Sequence, residues 1–138
     1  MNETASQNAE EFGFRSGDVV QEWLWDDDVD DSVRQKIEGL TGQDLVDEDY
    51  GSAVDGVIIW WRDGDDEDAL ADTIMDASAI LEKGAPIWVI TPKPRRSGAA
   101  SPNVIPSAAK TAGMNAATPL TVADDWNGVR LRPFGSGR

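Results

Sequence analysis

Val54-Asp55-Gly56-Val57-Ile58-Ile59-Trp60-Trp61 is the stretch on which the fold turns. It is almost continuously apolar and has the length of a strand. An unbroken apolar run fits a strand covered on both faces, as in a parallel sheet, whereas a half-exposed strand alternates apolar with polar residues. Trp60 and Trp61 are neighbours, so in a strand their indoles point to opposite faces. Each is therefore expected to lie under its own helical layer.

Working outward, Arg62 to Asp68 reads as a turn, and Leu70, Ile74, Ala77 and Leu81 recur at helical spacing, predicting a helix over about 66–82. Asp65, Asp66, Glu67 and Asp68 favour the positive end of its dipole, with Asp65 as the expected cap, and Lys83 and Gly84 suit its far end. Pro86 to Thr91 (PIWVIT) is a third-strand candidate. Upstream, Gly17 to Trp23 predicts a first strand. Val29, Val33, Ile37 and Leu40 predict a helix over 29–40, capped by Asp28 or Asp30 and stopped by Gly42. Downstream, a loop over 92–101 leads to a helical stretch ending at Gly113. That helix is either capped by Ser101 and distorted at Pro106, or begins at Pro106. Two short strands, Pro119–Val122 and Gly128–Arg132, close the pattern as a hairpin.

Strands alternating with helices imply an α/β, Rossmann-like three-layer domain: a mostly parallel sheet with a C-terminal antiparallel hairpin. The strands at 18–23, 54–61 and 86–91 are expected side by side in chain order, with 128–132 antiparallel beside the third and 118–122 at the outer edge. In such sheets ligands sit at the carboxyl ends of the strands, which places the loops 26–31, 62–68 and 91–97 on one functional edge. Residues 1–11 are expected to be a disordered tail, 12–133 a single domain and 134–138 a flexible C-terminus.

Charge is distributed unevenly over the 138 residues: 1–85 hold 24 acids and 5 bases, and 86–138 hold 2 acids and 7 bases. A net charge of −14 disfavours sequence-independent DNA binding and anionic membrane surfaces. With no Cys there is no disulfide framework or thiolate nucleophile, and with no His the commonest general base and metal ligand are missing. Hydrolase chemistry by Ser or Thr would need another base. The acidic N-terminal stretch has neither the basic nor the apolar region of a signal peptide, and no run reaches the ~20 apolar residues of a membrane span. A cytoplasmic protein is the expectation.

Several loop residues are candidates for binding. In Asp26-Asp27-Asp28-Val29-Asp30-Asp31 the carboxylates, Asp26 and Asp28 foremost, fit a docking loop or a cation site. The EF-hand pattern fails because its sixth position is Asp31 and its twelfth is Ile37. The plainer reading is helix capping and solvated charge. Arg62 and Asp63, just after the central strand, fit a polar ligand in the crevice; the plainer reading is a tight turn. Lys93, with Arg95 and Arg96, fits a phosphate but lacks any glycine nest, and it equally fits an ion pair with Asp26 or Asp63. Trp25 in the acidic loop and Trp126 at a hairpin tip are candidates for partner contact, because exposed aromatics are enriched at interface hot spots. No metal site and no cofactor is assigned.

The segments VVQEW, DDDVD, LVDEDY, VDGVIIWWRDGD, WVITPK, TAGM and ADDWNGVRL, in this order and spacing, resemble a family of small acidic actinobacterial proteins catalogued as a domain of unknown function. The resemblance covers residues 12–133 and carries no established activity. A weaker similarity links ILEKGAPIWVITP and TAGM…DWNGVRL to the C-terminal half of class I S-adenosylmethionine-dependent methyltransferases. Their glycine loop is missing here, where Leu24-Trp25-Asp26-Asp27-Asp28 follows the first strand.

The functional expectation is a non-catalytic binding or regulatory module that docks a basic protein partner through its acidic loops, with no role for nucleic acid. The alternative, which resemblance to the methyltransferases implies, is a protein or enzyme that binds a nucleoside- or S-adenosylmethionine-like ligand. There Trp25, Arg62, Asp63 and Lys93 would line the crevice.

Overall fold

In the computed structural model, which describes residues 12–62, 66–82 and 84–133, the run at Val54 contributes the central strand. This strand, β2 (Gly56–Trp60), is buried at every position. On one side it pairs in parallel with β1 (Val20–Trp23), and on the other with β3 (Ile87–Pro92). The expected order of these three strands is therefore observed. β6 (Trp126–Pro133) runs antiparallel to β3, with Val89 opposite Val129. Beyond it, β4 (Met114–Ala116) and β5 (Leu120–Thr121) both pair antiparallel with β6. The expectation of a mostly parallel sheet is corrected by these pairings. Among the described residues the sheet has six strands and is mixed: the helix at Val104–Thr111 carries the chain from β3 to β4, and β6 then enters between these two strands antiparallel to both.

Among the described residues three helices cover the sheet. α1 (Asp31–Thr41) is capped by Asp30, whose side chain accepts from Ser32 N, and ends at Gly42 with φ 72. That left-handed conformation suits glycine at a helix end. α2 (Glu67–Ser78) is capped by Asp66, which accepts from Ala69 N; Asp65, the expected cap, lies outside the described residues, as does Lys83. α3 (Val104–Thr111) begins after Asn103. Pro106 falls in its first turn, where no intrahelical N–H bond exists to be lost, so the helix needs no distortion there.

The alternating tryptophans behave as the sequence implies. Trp61, Val57 and Ile59 pack with Leu70 and Ile74 of α2 and Ile105 and Ala108 of α3. Trp60 and Ile58 pack on the other face with Val33 and Ile37 of α1. Burying each indole removes on the order of 200 Å² from water, about 5 kcal/mol at most.

The helices lie on opposite faces for a topological reason absent from the sequence reading. Between α1 and β2 the chain makes a parallel bridge, Val46 to Gln21, on the side of β1 away from β2. Glu22 N donates to Val46 O at 2.8 Å and Val46 N donates to Val20 O at 3.0 Å. The first crossover thus runs away from β2 and the second runs towards β3. Right-handed crossovers in opposite directions place their helices on opposite faces. β1 is the strand at which the winding reverses.

Candidate functional site

At the carboxyl end of β1 the chain leaves strand geometry abruptly. Leu24 has φ 60, a left-handed conformation that few non-glycine residues adopt. Its N–H donates to Glu48 Oε2 at 2.7 Å, so the turn is held by the segment following Val46. That segment is anchored from beneath. Buried Gln21 donates through Nε2 to Asp47 O at 3.0 Å, while its Oε1 accepts from Trp23 Nε1 at 2.7 Å. A buried amide thus has both ends satisfied.

The result is a cleft of about 460 Å³ beside the end of β1, with Trp25, Val46 and Asp47 to Asp49 along its rim and Glu22 and Arg34 within it. Trp25 is 50% exposed and offers an indole face. Glu22 is 6% exposed. Its Oε2 accepts from Trp60 Nε1 and from Arg34 Nε, both at 2.8 Å, and its Oε1 accepts from Arg34 Nη2 at 3.1 Å. Burial works against the charged form of Arg34, but the hydrogen bonds and charge of Glu22 outweigh it and hold the guanidinium pKa above its ordinary value. Arg34 also pairs with Asp31 at 3.7 Å. Its charge is spent inside the protein, and the carboxylates of Asp47, Glu48 and Asp49 set the sign of the cleft.

The other described residues singled out from sequence do not line this cleft. Asp28 Oδ2 pairs with Arg62 Nε at 2.9 Å, and Arg62 also donates through Nη1 to Trp60 O. This pair ties the loop after β1 to the end of β2. Gly98, with φ 82, lies so close to the Arg62 carbonyl that a Cβ there would overlap it. The basic loop after β3 is thereby pressed onto the end of β2. Lys93 follows β3 directly, its N–H donating to Asp125 O at 2.9 Å. Among the described residues, the ion pair in this loop belongs to Arg96 and Asp125, at 3.0 Å. Asp26 is exposed, and Asp63 lies outside the described residues. Trp126 is not at an exposed tip. It opens β6 opposite Pro92, is 6% exposed, and meets Trp60 edge-on at 5.0 Å. Of the residues assigned from sequence, Trp25 lines the cleft, whereas Arg62 and Lys93 do not.

Glu22, Arg34 and the 47–49 carboxylates were not singled out from sequence. LVDEDY carried the signal, as two apolar residues followed by three acids, which is how a short strand ending in a polar loop is written. Among the described residues, no group of three or more Asp or Glu is placed to hold a metal ion. No helix among them is long and apolar enough to cross a membrane.

Comparison with known proteins agrees with this architecture. Residues 9–134 match a family described as a protein of unknown function, DUF3052. An uncharacterised protein of Mycobacterium tuberculosis strain H37Rv is 41% identical over 127 residues, covering 92% of this chain and 78% of the relative. Among solved structures, an S-adenosylmethionine-dependent methyltransferase from Aquifex aeolicus superposes with TM-score 0.56 at 14% identity, over 92% of this chain and 88% of that one. The mitomycin 7-O-methyltransferase MmcR superposes with TM-score 0.55 at 13% identity; the match covers 94% of this chain and 54% of that protein, about half its length. At such identities the likeness is one of fold.

Proposed function

The chain belongs to the DUF3052 family of unknown function, and we propose that it binds a small nucleoside-like molecule, uncharged or cationic in the manner of S-adenosylmethionine, in the cleft at the end of β1. The observation that carries this reading is the position of the cleft on the strand where the winding reverses. Open α/β sheets bind ligands at the carboxyl end of such a strand. An exposed indole suits a flat heterocycle, by stacking worth about 1–3 kcal/mol per base. Neighbouring carboxylates accept hydrogen bonds from vicinal hydroxyls and favour a cationic group. They repel phosphates, which separates a nucleoside from a nucleotide. The fold of the S-adenosylmethionine-dependent methyltransferases adds support of a general kind. The reading concerns binding and includes no reaction.

Isothermal titration of the full chain with S-adenosylmethionine, adenosine and ATP tests it. Saturable binding of the first two, with ATP at least tenfold weaker, is the expected result. Silence for all three at millimolar concentration refutes it.

A second reading, docking of a basic protein surface, draws on one observation: exposed Trp25 is followed directly by exposed Asp26 and Asp27. An aromatic anchor ringed by like charges suits a partner steered electrostatically. Affinity capture from native cytoplasm at low and high salt tests it, and the absence of any partner released by salt counts against it.

A further inference from the structure

A second pocket, sharing no residue with the first, lies where the end of β3, the start of α3 and the β5–β6 hairpin meet. Its volume is about 300 Å³, at the small end of the range for ligand sites. Five of its lining residues are proline, at positions 92, 94, 102, 106 and 119. Proline has no N–H and a fixed φ, so these walls are preformed and poor in donors. No lining residue carries a charged side chain.

Its polar lining side chains are those of Thr91, Ser101 and Asn127. Thr91 and Asn127 face each other across β3 and β6 and line the pocket together. Thr91 is 7% exposed, and its Oγ1 has no hydrogen-bond partner. Nearly all buried polar atoms in folded proteins are paired, so an orphaned hydroxyl at the edge of a pocket calls for an explanation. A ligand group that completes the bond supplies one.

We propose that this pocket binds a small uncharged aromatic molecule bearing one amide or phenolic group. The ring lies against the prolines, and the polar group meets the side chains of Asn127 and Thr91. Hydroxyl and amide both donate and accept, which matches a group that does the same. A carboxylate or ammonium would lose its hydration and find no counter-charge.

Titration of the ¹⁵N-labelled full chain with benzamide, phenol and benzoate, followed by amide chemical shifts, tests this assignment. Benzamide and phenol are expected to move the amides of Thr91, Ile105 and Asn127 along saturable curves, with benzoate at least tenfold weaker. Thr91→Val keeps the shape, removes the hydroxyl, and is expected to weaken benzamide about fivefold, which is the scale of one hydrogen bond. Ala117→Leu, at an exposed lining position, narrows the pocket without touching the core and is expected to cost tenfold or more. The proposal is overturned by the absence of saturable shifts at these residues. Equal affinity for benzamide and benzoate overturns it too, as does undiminished binding by both variants. S-adenosylmethionine shifts, read at Trp25 and Asp47, report the cleft at β1 separately, so either site can fail alone.

Discussion

The indole N–H of Trp60 donates to the Glu22 carboxylate at 2.8 Å, joining β1 to β2 by side chains on the face that α1 covers. With Arg34 on the same carboxylate, three groups from distant parts of the chain share one buried charge. Removing the acceptor leaves the Trp60 N–H buried and unpaired and the guanidinium without its main partner. Glu22→Leu is therefore expected to destabilise the protein by about 2–4 kcal/mol. Glu22→Gln keeps an acceptor for Trp60 and is expected to cost about 1–2 kcal/mol. Urea unfolding measures both, and equal losses would show that the Trp60 bond contributes little.

Trp25 makes the opposite case. Half-exposed at the rim of the cleft, it is expected to be nearly silent in stability. Trp25→Ala should change unfolding free energy by no more than about 0.5 kcal/mol yet weaken S-adenosylmethionine binding about tenfold or more. Calorimetric titration beside a urea melt separates the two effects. Unchanged affinity would remove the indole from the site.

Gly98 combines a left-handed backbone with close approach to the Arg62 carbonyl. Gly98→Ala faces both penalties, and a loss of about 2–3 kcal/mol is expected. The loop over 93–100 should lift from β2 before the sheet opens, and limited proteolysis at Arg95 or Arg96 should accelerate. A variant as stable and as resistant as the parent would mean that this contact does not hold the loop.

For Thr91 the expectation runs towards higher stability. Its hydroxyl is buried without a partner, so Thr91→Val exchanges an unsatisfied polar atom for a methyl group of similar shape. An increase of about 1 kcal/mol is expected, visible as a higher melting temperature in the absence of any ligand. A lower melting temperature would show that the hydroxyl is satisfied in solution.

The sequence made the central strand, β3, α1 and α2 legible through continuous or periodic apolar signals, whereas α3 was located by Gly113 and the Ser101-Pro102 pair, and its start at Val104 was not legible. The pairing of the last strand with β3 followed from chain economy, since a short connection can only reverse. Val46 was not legible. A parallel bridge of one residue pair leaves no periodicity, yet it decides which face α1 occupies. β4 was equally silent, because three residues are too few for the alternation of Met-Asn-Ala to stand out and none of them is β-branched. Trp25 stood out as an apolar residue among acids. Glu22 did not, because an acid within a strand reads as the solvent side of an alternating pattern. Only folding brings Trp60 and Arg34 around it. The burial of Trp126 likewise depends on its pairing opposite Pro92, a contact between residues far apart in sequence.

The broken outer border of β6 has a consequence for how the protein behaves when concentrated. β4 offers three residues and β5 two, and the interval 117–119 between them ends in a proline that cannot donate to a ladder. At the opposite border Val46 presents a single bridge. Exposed strand edges are templates on which chains join into fibrils, and natural sheets blunt them by shortening or interrupting them. Among the described residues both borders are short, which disfavours such growth, and a net charge of −14 adds mutual repulsion. Resistance to aggregation is thus the expected outcome where the sheet's pairing is least regular.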